Sequence, residues 1–141
     1  MTQLNLNYNS ISDVSTLGGC TALNELYLSN NAIADLSALA SLTQLRNFDF
    51  SYNQVQALPD WDAGCQLVTI DGSHNLLTSL EPLSGMNNLN KVSMDYNPEL
   101  KSITCLTKCH HLIQVNVYGT KVTEIKPLLD MSVIVNYDPT T

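Results

Sequence analysis

The chain has 141 residues, of which 44% are hydrophobic and 13% are charged, and its formal net charge at pH 7 is −7. This apolar content favours a folded chain over a disordered one, and the length suits a single domain. An acidic surface repels phosphates and anionic lipid headgroups, and no apolar run approaches the ~18 residues of a membrane span. Nucleic acid binding and membrane insertion are therefore not expected.

A 22-residue pattern recurs along the chain and is clearest in residues 24–45, NELYLSNNAIADLSALASLTQL. Five of its six copies have 22 residues, and the fifth has 23 because of one extra residue near Pro98 and Glu99. The repeats are 2–23, 24–45, 46–67, 68–89, 90–112 and 113–134, followed by an exit segment, 135–141. Such a period is typical of a solenoid, in which each repeat forms one coil that stacks on its neighbours. We therefore predict a single domain, 1–141, built from coils 1 to 6.

Within each repeat, numbered from position 1, the residues at positions 3, 5, 10, 13, 16, 19 and 22 are apolar almost throughout. Alternation at positions 2 to 6 predicts a short strand with one buried face, and the wider spacing beyond position 10 predicts 3₁₀ turns or short helices. Only Gly64 and Gly72 break the rule. We expect Trp61 and Phe50, respectively, to fill the space that they leave.

Position 8 is asparagine in every repeat but the last, which has Thr120 there. At this point the chain leaves the strand and turns inward, which leaves backbone groups without partners. An amide side chain can both donate to and accept from such groups, so a column of asparagines would satisfy the turns. The predicted asparagine ladder is Asn9, Asn31, Asn53, Asn75 and Asn97.

The pattern LxLxxNxIxDLxxLxxLxxL, complete in residues 26–45, resembles the 22-residue leucine-rich repeat of bacterial internalin-type surface proteins. Pro82 and Pro127 lie where that class often has Pro-Leu, and the 23-residue fifth repeat resembles a variant common in repeat proteins of gut bacteria. The resemblance implies an α/β leucine-rich-repeat fold. This is a right-handed curved solenoid with a concave parallel sheet of six to seven short strands and a convex side of turns, 3₁₀ and short helical segments. It also implies protein binding and an extracellular or cell-surface location.

The ends of the chain suggest a fragment of a larger protein. No amphipathic capping helix precedes Thr2, although solenoids need polar caps over their terminal coils. Residues 133–135 are expected to add one last strand. Oligomers are expected only through the uncapped ends.

The concave face presents positions 2, 4 and 6, and four acidic residues cross it, one in each of four consecutive coils. This predicted acidic diagonal is Glu25, Asp49, Asp71 and Asp95, roughly 15 Å long at the usual strand spacing. Tyr27 and Tyr118 lie on the same face. We predict that these six residues form the binding face, and an acidic face favours a basic or neutral polar partner.

Position 7 borders that face and is rich in aromatic residues, which are common in protein interfaces. We name its members Tyr8, Tyr52, His74 and Tyr96 the ridge, and predict that they bind a partner beside the acidic diagonal. The alternative is that the ridge only shields the asparagine ladder, while the acidic residues keep the surface soluble.

Other patterns favour structure over chemistry. Cys105, Cys109, His110 and His111 do not match zinc-site spacings, and Cys109 falls on core position 19. Position 12 carries Asp13 and its equivalents, which are expected to cap the convex segments. The sequence lacks nucleophile and phosphate-binding motifs, so we predict no metal, no cofactor and no enzyme activity.

The preferred interpretation is a non-catalytic module that binds a protein or a glycan with its concave face. One alternative is a structural spacer between domains. A second is a cytoplasmic regulatory scaffold of the phosphatase-subunit type, which shares the repeat length. An enzyme is a distant fourth interpretation.

Overall fold

The computed structural model describes residues 1–62 and 64–139. Seven short strands form one parallel sheet in chain order, as predicted. The strands are β1 Gln3–Asn5, β2 Glu25–Tyr27, β3 Asn47–Asp49, β4 Thr69–Asp71, β5 Lys91–Ser93, β6 Gln114–Val117 and β7 Ile134–Tyr137. The sheet is open, with β1 and β7 at its two edges.

Five of the six coils return through a short helix in the part of the chain that the structure describes, and coil 3 has none there. Four are 3₁₀ helices, at Ser15–Gly19, Ser37–Ser41, Glu81–Leu83 and Thr104–Lys108. The sixth coil instead has one α-helical turn, α1, at Lys126–Leu129. Proline stands in the first turn of the helices at Glu81 and Lys126, where its missing N–H costs nothing.

The strand register keeps equivalent positions of neighbouring coils side by side. Position 2 of β1 pairs with position 2 of β2, and this alignment continues to β6. The extra residue of coil 5 does not disturb it, because Lys91 still pairs with Gln114. Each coil therefore adds one row of side chains to a common face.

The core is one continuous stack of the apolar positions. In coil 2 all seven, from Leu26 to Leu45, are at most 1% exposed. Burial of a leucine stabilises the fold by roughly 1.5–3 kcal/mol relative to exposure, and one coil cannot bury its own stripe. In coil 1 the corresponding Leu4, Leu6 and Ile11 are only partly buried because no coil covers their outer side.

Gly72 and Gly64 are the two glycines at core positions, and the prediction that a large neighbour fills the space beside them holds for only one. A Cβ on Gly72 would lie 2.6 Å from Phe50 Cζ and 2.8 Å from Met94 Sδ, so large neighbours fill that space as expected. At the other exception the prediction for Trp61 was wrong, because nothing among the described residues lies within 4 Å of a Cβ added to Gly64. Gly64 is exposed with φ of +88°, and Cys65, the next residue, is the buried one.

The prediction for Ile134 was wrong. It was assigned to core position 22 of coil 6, but its side chain is 56% exposed and Val133 is buried instead. In β7, Ile134 pairs with Gln114, so the sixth coil closes two residues earlier than the other coils. The last strand also runs to Tyr137, beyond the expected 133–135.

Candidate functional site: the concave face and its aromatic border

Side chains at positions 2 and 4 point out of the sheet, as predicted, and several contact one another. Tyr27 Oη donates a 2.9 Å hydrogen bond to Glu25 Oε2, and this bond raises the pKa of the Tyr27 hydroxyl. Thr69 Oγ1 donates to Asn47 Oδ1 at 2.7 Å across the β3–β4 pair. The face is thus a surface of linked polar groups rather than an apolar groove.

The acidic diagonal has its closest like-charge contact at its centre. Asp49 and Asp71 are direct partners across β3 and β4, so two carboxylates stand on one face at one strand spacing. Burial raises the pKa of Asp49, and repulsion from Asp71 adds to the shift. Burial likewise raises the pKa of Asp95. Like charges directly opposite one another destabilise a sheet.

Three residues of the diagonal also have a structural role that the sequence analysis missed. The N–H of position 6 finds no strand partner, and a carboxylate accepts it instead. Asp49 Oδ1 accepts from Ser51 N at 2.9 Å, and Asp71 Oδ1 accepts from Ser73 N at 3.0 Å. The sequence did indicate this role, since the side chain of an aspartate often accepts a hydrogen bond from the backbone N–H two residues later and so forms a turn.

For the third residue, Asp95, the neighbouring sequence did not indicate a structural role. Asp95 Oδ1 accepts at 2.7 Å from the backbone N–H of Tyr118, which lies in the next coil. Its carboxylate therefore ties coil 5 to coil 6. Of the four acidic residues, only Glu25 has no such bond to the backbone among the described residues.

Side chains at position 6 are less exposed to solvent than the sequence suggested. Ser29, Ser51 and Ser73 are 6%, 7% and 9% exposed, because the chain already curves inward there. Ser51 still lies on the concave side, since its Oγ donates at 2.7 Å to Asp49 Oδ1, but little of its surface is exposed. In coil 6, Tyr118 occupies the same position and remains 43% exposed. The accessible concave face is therefore carried by positions 2 and 4, with Tyr118 at one end.

Every residue at position 7 has a left-handed backbone conformation. The φ angles of Tyr8, Asn30, Tyr52, His74 and Tyr96 lie between 56° and 59°, and Gly119 has 65°. This region costs a residue other than glycine about 1–2 kcal/mol, and asparagine tolerates it better than most. The tight turn after each strand therefore requires the conformation but does not require an aromatic side chain.

Three members of the ridge stack on one another. The ring centroids of Tyr52 and His74 are 4.1 Å apart with an angle of 11° between planes, and those of His74 and Tyr96 are 4.5 Å apart at 23°. Tyr96 continues the column over Gly119, where an added Cβ would lie 2.5 Å from the Tyr96 ring. Tyr8 stands apart from this stack and is 78% exposed.

The asparagine ladder connects neighbouring coils. Asn53 Nδ2 donates to Leu28 O and Phe50 O, both at 2.9 Å, while its Oδ1 accepts from Ile33 N at 3.0 Å. Asn31, Asn75 and Asn97 repeat this arrangement. Asn9, at the exposed end, bonds only within coil 1.

In the last coil Thr120 takes the ladder position with fewer bonds, donating to Val117 O at 2.7 Å.

The Cys and His residues of coil 5 are engaged separately. Cys109 is buried and its Sγ lies 3.1 Å from Leu83 O, whereas a ring nitrogen of His111 contacts Asn87 O at 2.6 Å. Burial raises the pKa of Cys105 to about 11, which keeps it a thiol near neutral pH. Within residues 1–62 and 64–139 no group of three or more His, Cys, Asp or Glu side chains is placed to hold a metal ion.

The convex segments begin at position 12 with the expected caps. Asp13 Oδ1 accepts from Ser15 N and Asp35 Oδ1 from Ser37 N, each at 2.8 Å, and these bonds lower the pKa of both carboxyls. No helix in the described part of the chain is long and apolar enough to cross a membrane.

A cleft of about 440 Å³ lies between the convex segments of coils 3 and 4. Trp61, Cys65 and Met86 are part of its lining.

Coils that each contribute one short strand to a parallel sheet, and that are joined by a ladder of asparagines at their turns, are the architecture of leucine-rich-repeat solenoids. The family model described as leucine-rich repeats in two copies matches residues 1–41 and again residues 21–63. These matches together cover residues 1–63, and the chain as a whole has the internalin-like leucine-rich-repeat fold that the sequence predicted. No curated protein matches it in a sequence comparison.

Solved structures with this fold include two internalins of Listeria monocytogenes. An internalin designated inlF aligns over 98% of this chain and 43% of its own, with a TM-score of 0.88 and 18% identity. Internalin C2 aligns over 98% of this chain and 71% of its own, with a TM-score of 0.79 and 24% identity.

A leucine-rich-repeat protein of Leptospira interrogans aligns over 96% of this chain and 37% of its own, with a TM-score of 0.82 and 18% identity. The chain thus spans less than half of two of these three relatives. At these identities the comparison shows a shared fold.

Proposed function

We propose that the chain is a non-catalytic protein-binding module that uses positions 2 and 4 of the concave face, Tyr118 and the ridge. Leucine-rich-repeat folds generally mediate protein–protein binding, and their concave surfaces are extended binding sites. We further propose that the module belongs to a bacterial cell-surface or secreted protein, which the internalin-like fold supports.

The observation that carries the proposal is the choice of side chain at position 7. Asn30 and Gly119 show that residues suited to left-handed backbone can form the turn. Tyr8, Tyr52 and Tyr96 adopt the same conformation at a cost, yet their side chains are 78%, 51% and 53% exposed. Strained residues that contribute little to the core are characteristic of functional surfaces.

Mutual stacking offsets part of this cost, since an aromatic pair contributes about 0.5–1.5 kcal/mol. It does not explain Tyr8, which lies outside the stacked column. The interpretation of the ridge as a shield for the asparagine ladder is weakened for the same reason. Asn9, beneath Tyr8, is itself exposed.

The charge of the face favours a basic partner. Asp49 and Asp71 stand side by side, and the positive charge of Lys91 lies beyond them in β5. A basic partner would relieve the repulsion between the two carboxylates. Its association would be fastest at low salt and would weaken as ionic strength rises.

A site-specific crosslinking experiment tests the proposal. A photoreactive phenylalanine analogue replaces Tyr118 on the concave side, and a matched protein carries it at Lys108 on the convex side. Each is exposed to a mixture of extracellular proteins and irradiated. We expect adducts from position 118 only, and comparable adducts from position 108 would contradict the proposal.

The captured protein is then titrated against purified variants. We expect Tyr27→Ala combined with Tyr118→Ala to weaken binding at least tenfold, because aromatic anchors contribute most of the energy of typical interfaces. Lys101→Ala combined with Lys108→Ala serves as the convex control and should leave the affinity unchanged. Equal affinities of the concave variant and the wild type would overturn the proposal.

A further inference from the structure

The ridge contains one interruption, which we name the Asn30 gap. Along position 7 the order is Tyr8, Asn30, Tyr52, His74 and Tyr96. From Tyr52 onward the rings form a continuous stack. Between Tyr8 and Tyr52 the small amide of Asn30 stands where a planar ring would complete the column.

The stacked half of the ridge shows what the gap can hold. His74 lies between Tyr52 and Tyr96, 4.1 Å from one ring centroid and 4.5 Å from the other. Tyr8 and Tyr52 are likewise two coils apart, roughly 9.6 Å at the usual strand spacing. All four side chains leave the backbone at φ angles between 56° and 59°. One planar group can therefore insert between Tyr8 and Tyr52, as the imidazole of His74 does between its neighbours.

The gap is open to solvent and has a polar floor. Tyr8 is 78% exposed and Tyr52 is 51% exposed, so a ligand can reach their rings. The amide of Asn30 makes a single long contact among the described residues, 3.4 Å from Nδ2 to Ser29 Oγ. Its oxygen is therefore available to accept a hydrogen bond from a group inserted above it.

The surrounding charge selects a cation. Glu25 and Asp49 lie on the concave side of the coils next to the gap, and Asp13 and Asp35 lie in the first two coils on the convex side. Of the three coils that border the gap, coils 1 and 2 contain no lysine or arginine, and coil 3 contains one, Arg46, at its first position. Of the two cationic side chains, only arginine carries a planar group that stacks on aromatic faces.

We propose that the Asn30 gap binds an arginine side chain of the partner, with its guanidinium stacked between Tyr8 and Tyr52. This inference rests on the proposed protein-binding function and specifies the partner's chemistry. The guanidinium would donate to the Asn30 side-chain oxygen, and the acidic residues nearby would stabilise its charge. A lysine ammonium would lack the stacking contact.

Two reciprocal substitutions test the inference with residues that position 7 already accepts. Asn30→His closes the gap by extending the stack, and His74→Asn opens an equivalent gap between Tyr52 and Tyr96. N-acetyl-arginine amide is titrated into each protein, and the tyrosine ring resonances are followed by NMR. N-acetyl-lysine amide serves as the matched probe without a planar cation.

In the wild type we expect saturable shifts of the Tyr8 and Tyr52 rings with arginine, and at least fivefold weaker binding of lysine. Asn30→His should weaken arginine binding at least tenfold, and His74→Asn should add a second site at Tyr96. Equal binding of both probes, absence of saturable binding to the wild type, or unchanged binding by Asn30→His would overturn the inference. If crosslinking from position 118 succeeds while these titrations fail, the concave-face proposal stands and the gap proposal falls.

Discussion

Asn75 shows how much one side chain of the ladder contributes. Its Nδ2 donates to Phe50 O in the preceding coil and to Gly72 O in its own, and its Oδ1 accepts from Val55 N. The side chain is only 3% exposed, so water cannot replace these bonds. We expect Asn75→Ala to lower the free energy of unfolding by roughly 3–5 kcal/mol, since several buried groups lose their partners.

Urea denaturation followed by circular dichroism measures this loss. Asn9→Ala is the matched control, because Asn9 is exposed and bonds only within its own coil. Its cost should stay below about 1 kcal/mol. Equal losses for the two variants would show that burial does not decide the value of a ladder residue.

Gly72 illustrates compensation between neighbouring core positions. Phe50 and Met94 occupy the space that a side chain at this position would need. We expect Gly72→Ala to destabilise the protein by about 1–3 kcal/mol through overpacking. In a Phe50→Leu background the same change should cost less, and a double-mutant cycle measures that coupling. Additive losses would mean that Phe50 is not the obstructing group.

At the scale of the element, a side-chain oxygen accepts the N–H of position 6 in coils 1 to 4 and in coil 6. Asp49 does this while partly buried and beside Asp71, which raises its pKa in the folded state. A carboxyl with a raised folded pKa contributes stability that is complete below its unfolded pKa. That contribution is lost as the pH rises through the folded pKa.

We therefore expect Asp49→Asn to stabilise the protein near pH 7, by roughly 0.5 kcal/mol once solvent screening is considered. The amide oxygen can still accept from Ser51, so the turn is kept. The gain should disappear below the ordinary aspartate range, where Asp49 is protonated. Thermal unfolding between pH 3 and pH 7 tests this, and a gain that does not change with pH would contradict it.

The sequence predicted these elements well where the repeat itself imposes them. The strand positions, the 3₁₀ returns of coils 1, 2, 4 and 5 and the asparagine at position 8 of coils 1 to 5 all follow from the repeated pattern. The capping by Asp95 could not be read in this way, because its partner Tyr118 lies in the next coil. The exposure of Ile134 was missed because the last coil departs from the 22-residue period.

For the candidate site, the sequence predicted which repeat positions contribute side chains but not how those side chains are arranged. Position 7 could be recognised as aromatic, but its left-handed backbone and the stacking of His74 between two tyrosines depend on three-dimensional register. The burial of Ser29 likewise depends on how sharply the chain turns after the strand.

For the whole molecule, stability depends on contacts between neighbouring coils, so local unfolding should start at a weakly covered end. Several core residues of coil 1 are only partly buried, and among the described residues the ladder bonds that join coil 1 to coil 2 come from Asn31 alone. We expect the amide of Ile11 to exchange with deuterium at least tenfold faster than that of Val55 in coil 3. Both amides donate to a ladder asparagine, so Val55 is the matched control.

Hydrogen exchange followed by mass spectrometry or NMR measures this gradient. A uniform rate along the chain would instead show that all the coils open together, as in a two-state globular domain.

The constant strand register has a consequence for how the surface can change. Coil 5 carries an extra residue and coil 6 closes early, yet the rows of the concave face remain aligned. Changes of length are absorbed outside the strands, so the strands themselves stay in register. A whole coil could thus be exchanged with that of a distant relative as a cassette, and it would bring one complete row of contact residues without refitting its neighbours.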